Sequence, residues 1–221
     1  MPIQVAILVE RLEHARLLFQ HGARPNVPVD SNMRQRLRPY HDCEYHERVR
    51  EIHSGRRTLL DYSFHFRDGK GPDACRLLLE NGEDPNQGDT TEFCAPINGL
   101  CDGHSWVYAE MLILAGAKVT GRDPNGYSAM YWAANCDNVP LIFLLLEKGA
   151  DINVRTNEGE TPLHTAAMYD CLEAGRALVE RGADVEVKDE AGLTALQYAQ
   201  HRGHIHFIEI IEAAINARAS T

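Results

Sequence analysis

Three groupings in this chain of 221 residues carry side chains able to do chemistry. The first is His41-x-Cys43-x-x-His46, with His53 close behind; imidazole and thiolate both suit zinc, and a Cys–His pair could act as a nucleophile. The spacing fits no standard finger. Tyr45, Val49 and Ile52 recur at helical intervals, so the stretch reads as an amphipathic helix packed on its neighbours. The second is His201, His204 and His206 near the C-terminus. The third is the set Cys94, Cys101, Cys136 and Cys171, each at a different phase of the chain, so they form no stripe and read as buried small thiols or rim residues. No nucleophile signature surrounds any cysteine. Gly69 and Gly71 are too short a pattern for a phosphate loop, and no Gly-Lys-Ser/Thr follows. The reading is therefore no enzyme, no metal and no cofactor, with a metal-dependent enzyme built on the 27–57 segment as the minor alternative.

Bulk properties narrow the class. A formal net charge of −10 argues against general nucleic-acid binding, which Lys and Arg drive. With 44% hydrophobic and 24% charged residues the chain can bury a core. No apolar run approaches the roughly 20 residues that span a bilayer. Met1 to Val9 has no basic residue before its apolar run, so it does not read as a secretory signal. Six cysteines without a C-x-x-C pair read as reduced thiols. The expectation is a cytoplasmic monomer without membrane contact. Charge is uneven: residues 1–57 hold 10 Lys and Arg against 7 Asp and Glu, and the remainder holds 12 against 25. Arg34, Arg36 and Arg38 form a short basic run read as a solvated loop.

The elements that would position these groups follow from a repeat. Gly116-Ala117, Gly149-Ala150 and Gly182-Ala183 stand 33 residues apart, and so do Gly126, Gly159 and Gly192, and Ser128, Thr161 and Thr194. Within one period, Thr161 can cap a first helix that Pro162 opens without losing a needed N–H. Ala166-Ala167 lets a second helix lie close. A turn falls at Tyr169-Asp170, Leu172 to Val179 forms the second helix, Gly182 ends it, and Ala183 to Asp189 returns extended. One such hairpin cannot bury both faces; stacked neighbours can.

The segment Gly159-Glu160-Thr161-Pro162-Leu163-His164-Thr165-Ala166-Ala167, closed by Gly182-Ala183-Asp184-Val185, resembles the ankyrin-repeat family. The units at 123–155 and 189–221 match less fully: Ala129 and Ala195 replace the Pro, and Tyr131 and Gln197 replace the His. Leu77 to Gly82 and Leu17 to Gly22 mark two earlier second helices, and the resemblance covers about five-sixths of the chain. It implies an all-α solenoid forming a single domain: capping helices at 1–26, a helical insertion at 27–57, repeats at 58–89, 90–122, 123–155 and 156–188, and a C-terminal capping repeat at 189–221. Gly82 lies 60 residues after Gly22, which leaves about 27 inserted. Ile215 stands where the last repeat would have its Gly, and the tail from Ala217 ends the stack. At the pattern's positions, His164 is expected to bond neighbouring turn backbones and His204, after Gly203, to cap a helix start. Trp106 and Trp132 are read as structural, and modification of Asn153 is left open.

The resemblance also implies a partner site on a concave face made of turn tips and first-helix ends. Carried over by position, it comprises Glu92, Asp102, Asn125, Tyr127, Asn135, Asn157, Glu158, Glu160, Met168, Tyr169, Glu190, Leu193, His201 and Arg202. Its acidic residues outnumber the single Arg202, and its aromatics offer anchors, so the expected partner is a protein with a basic surface. Within that class, an adaptor and an inhibitor or immunity protein for a toxin or nuclease remain alternatives.

Overall fold

The computed structural model describes residues 12–24, 60, 63–64, 71–86 and 106–219. The expected insertion at 27–57, with His41, Cys43, His46 and His53, lies outside the described residues, as do Glu92, Cys94, Cys101 and Asp102. Among the described residues every regular element is helical, apart from one isolated antiparallel bridge between Arg122 and Ser128. The chain divides into two compact units, one of residues 1–95 and 114–117, the other of 96–113 and 118–221.

In the first unit α1 (Leu12–Gln20) packs on α2 (Gly71–Glu80). Each presents an apolar face, through Ala15 and Phe19 on α1 and Ala74, Cys75, Leu77 and Leu78 on α2. Both helices close on a glycine with positive φ, Gly22 at 83° and Gly82 at 84°. The following N–H groups of Ala23 and Glu83 reach back to the carbonyls of Leu18 and Leu78. The same closure recurs in the second unit at Gly149 and Gly182, so one glycine comb is a series of helix C-caps.

The second unit contains α3 (Trp106–Leu114, its last residue excepted) and three helical hairpins: α4 (Ala129–Asn135) with α5 (Val139–Glu147), α6 (Pro162–Tyr169) with α7 (Leu172–Glu180), and α8 (Ala195–Arg202) with α9 (Ile205–Ala219). First helices pack on first helices, α4 on α6 on α8, and second helices on second helices, α5 on α7 on α9. Alanines make the close approach possible: Ala133, Ala134, Ala166, Ala167, Ala174, Ala177 and Ala199 are all buried. Leu141, Ile142, Leu145, Leu163, Leu178, Phe207 and Ile211 fill the space between the layers. Burial of side chains this size contributes roughly 1.5–3 kcal/mol each.

Neighbouring repeats also cap one another. Asp137 (φ 52°), in the turn after α4, accepts a bond from the Ala174 N–H in the first turn of α7 at 2.6 Å, which compensates for a cap residue, Cys171, whose side chain makes no capping bond. His204 behaves differently from its expected capping of its own helix. Its Nδ1 donates 2.9 Å to the Ala167 carbonyl in α6, satisfying an acceptor of the preceding hairpin. The last helix runs on through the position of Ile215 to Ala219, and Arg218 donates to the Ala183 carbonyl at 2.7 Å.

Candidate protein-interaction surface

Each hairpin of the second unit is preceded by a tight turn that projects its residues together. In the three turns the N–H of Asp123, Thr156 and Asp189 donates to the carbonyl of Tyr127, Glu160 and Leu193 respectively, at 2.9–3.0 Å. Asp123 and Asp189 add carboxylate bonds to the N–H groups of Tyr127 and Leu193, both 2.8 Å. Successive turns are stitched: Asn157 N–H to Asn125 carbonyl at 3.1 Å, Glu190 N–H to Glu158 carbonyl at 2.9 Å. Arg122 and Arg155 each donate to the carbonyl one repeat on, those of Arg155 and Lys188. The turn tips are therefore an ordered row, held at the repeat spacing by backbone.

That row fixes the residues expected from sequence. Asn125, Asn157, Glu158 and Glu190 sit exposed at turn tips, with the Asn157 side chain committed to the Pro124 carbonyl at 2.7 Å. Tyr127 and Leu193 are half-buried beside them. Asn135, Met168, Tyr169, His201 and Arg202 occupy the ends of α4, α6 and α8; Tyr169 is 55% exposed, His201 and Arg202 are exposed, and Asn135 and Met168 are half-buried. Glu160 differs from its expected place among the open carboxylates: the residue is only 8% exposed, and its N–H and carbonyl are both bonded to Thr156 within the turn.

Around Glu160 the sequence reading missed a cluster. The Tyr127 and Tyr131 rings lie 4.4 Å apart, and Trp132 meets both edge-on, at 5.7 and 5.3 Å. The signal was present as Tyr at i and i+4 with Trp at i+5, across a turn and the start of a helix. Burial raises the Tyr131 phenol, with Tyr127, Tyr169 and Glu160 adding to it; burial also raises Tyr127, followed by the charges of Glu158, Glu160 and Asp123. Glu160 is itself raised, by burial and then by the like charges of Glu158 and Asp189. Asp189 goes the other way: burial would raise it, but bonds from the Tyr198 hydroxyl (2.6 Å) and the Leu193 N–H overcome that. The Tyr198 phenol rises to about 12, chiefly through this bond.

The remaining candidates serve the scaffold. His164 Nδ1 accepts from the Thr161 N–H at 3.1 Å, so Nε2 carries the proton and donates to the Leu193 carbonyl in the next turn at 3.1 Å. Burial holds its pKa below the ordinary value. Cys75 is pushed up to about 12 and Cys171 to about 11, both by burial first, so these are thiols rather than thiolates at neutral pH. His201, His204 and His206 do not converge, and among the described residues no three His, Cys, Asp or Glu side chains gather to hold a metal. Trp132 packs as expected, whereas Trp106 is 49% exposed. No described helix is long and apolar enough to cross a membrane.

Stacked hairpins whose connecting turns form a hydrogen-bonded row define a helical repeat protein with an ordered turn-tip surface. The family model for ankyrin repeats in three copies matches residues 66–156 and 101–189, together more than half of the chain, and the chain belongs to the ankyrin-repeat family. No curated protein matches the chain. Ankyrin repeats generally mediate protein–protein interaction and are typically non-catalytic.

Proposed function

We propose that this protein binds a partner protein bearing a basic surface, through the turn-tip face of the second unit. The observation that supports this most is the row Glu158, Glu190 and Tyr169, all exposed, on turns and a helix end fixed by inter-repeat backbone bonds. Carboxylates steer a basic partner to the surface, and the aromatic residue supplies contact area once it arrives. The free thiols Cys75, Cys136 and Cys171 suit a reducing, cytoplasmic setting. Glu158→Lys with Glu190→Lys reverses charge at two exposed positions without touching the core. The pair should weaken partner binding at least tenfold at low salt and flatten its salt dependence, with an unchanged circular dichroism spectrum. Unchanged affinity places the site on another face.

A further inference from the structure

We infer that Cys136 and Cys171 form a site of oxidative modification, closing to a disulfide between neighbouring hairpins when the protein meets hydrogen peroxide. Both are free thiols, Cys136 exposed at the C-terminal end of α4 and Cys171 buried as the cap residue of α7. Bonds on either side of Cys136 hold the two elements together. The Cys171 thiol donates to the carbonyl of Asn135, the residue before Cys136, at 3.4 Å. The carboxylate of Asp137, the residue after it, accepts from the Ala174 N–H at 2.6 Å. Across the peptide that joins Asn135 to Cys136, the carbonyl oxygen and the next Cα are about 2.8 Å apart, so the Cys171 sulfur stands within roughly 6 Å of the Cys136 Cα. The exposed Cys136 side chain has room to turn toward it, and a disulfide spans Cα separations of about 4.4–6.8 Å. Exposure and burial divide the roles. Cys136 is the sulfur that peroxide reaches: it gives its proton to solvent, and the thiolate attacks one peroxide oxygen. The O–O bond breaks, Cys136 becomes a sulfenic acid, and the hydroxide released takes up a proton to become water. Cys171, only 7% exposed and kept a thiol at neutral pH by its burial, escapes this first step. Its sulfur then attacks the Cys136 sulfur, the S–O bond breaks, and the hydroxyl leaves as water with the Cys171 proton. Two thiols lose two electrons, and one peroxide is reduced to two waters. The product joins the end of α4 to the start of α7 and closes a loop of about 35 residues, so these two hairpins can no longer separate. The step is independent of any partner protein, and a thiol reductant reverses it.

The test uses the full chain, first reduced, then treated with a small excess of hydrogen peroxide, with remaining thiols blocked by N-ethylmaleimide. Trypsin places the two cysteines on separate peptides, 123–148 and 156–176, neither of which holds another cysteine. Mass spectrometry of the unreduced digest should find these peptides joined, two hydrogens lighter than their sum, as the main oxidised species, and dithiothreitol should release them. The same treatment in urea should lose the preference for this pair. Cys136→Ser changes an exposed position outside the core and should leave Cys171 a free thiol after peroxide. Cys171→Ser should leave Cys136 as a sulfenic acid that dimedone traps. Oxidised wild type should melt about 5 °C above the reduced protein, and the Cys136→Ser protein should show no such rise. Four results would each overturn the pair: Cys136 oxidised to sulfenic or sulfinic acid with Cys171 still free in wild type, a Cys136–Cys136 link between two copies as the main product, an equal yield of the joined peptides in urea, or oxidation of Cys171 in the Cys136→Ser protein.

Discussion

Gly175 offers a sharp test of how the second helices stack. It lies in the middle of α7, where replacing glycine by alanine ordinarily stabilises a helix by about 1 kcal/mol. Here a Cβ would stand 2.5 Å from Phe207 Cζ and closer still to Cε2. The Phe207 ring is fully buried, so it has no free direction in which to swing. Either α7 and α9 separate slightly, a repacking that costs about 1–3 kcal/mol, or the ring leaves its place and forfeits much of the roughly 3–5 kcal/mol that a buried phenylalanine contributes. After subtracting the propensity gain, Gly175→Ala should destabilise by about 2 kcal/mol. For a chain of this length that is a fall of about 4–8 °C in Tm. The assay is thermal and urea denaturation followed by circular dichroism, alongside Phe207→Leu and the double variant. Shortening the ring makes room for the methyl group, so the double variant should be more stable than the sum of the single losses predicts. A Gly175→Ala protein as stable as wild type, or strictly additive losses, would refute the α7–α9 packing.

Two further outcomes are expected. Gly159→Val forces a β-branched residue into φ 79° with its Cβ 3.0 Å from the Glu190 N–H nitrogen, and should cost about 2–4 kcal/mol in a denaturation experiment; a wild-type melting temperature would contradict the turn geometry. His164 is held neutral in the fold, so the unfolded chain takes up the proton first; its stabilising contribution is present above pH 6.5 and is lost as pH falls below that value. Glu160, raised in the fold, acts with the opposite sign, so the comparison belongs in a Glu160→Gln background. There His164→Gln, which mimics the Gln197 cap of α8, should reduce the drop in urea midpoint between pH 7.5 and 5.5, and an unchanged drop would count against the buried neutral imidazole.

The repeat was legible because its markers are local. Glycines at 33-residue spacing cap helices or turn the chain wherever they fall, and Thr161, Pro162 and His164 act within their own turn or the next. What escaped the sequence depends on partners far along the chain. Gly175 looks like a helix defect until Phe207 is placed over it. His204 looks like a cap for its own helix until the Ala167 carbonyl appears beside it. Glu160 shares its repeat position with Tyr127 and Leu193, which suggested one common exposure. The residue is instead buried, unlike the half-buried Tyr127 and Leu193 at the same position, a difference that no positional rule encodes. Glu158, Tyr169 and Glu190 are exposed at the positions the repeat assigns them, since backbone sets their direction.

The most direct measurement is a nuclear magnetic resonance titration of the isotope-labelled chain with an arginine-rich peptide. Amide shifts should concentrate at Tyr127, Asn157 to Glu160, Tyr169 and Glu190, and should collapse as salt is raised. Shifts that centre on α5, α7 or α9 instead, or that persist undiminished at high salt, would contradict an acidic turn-tip surface as the place where this protein meets its partner.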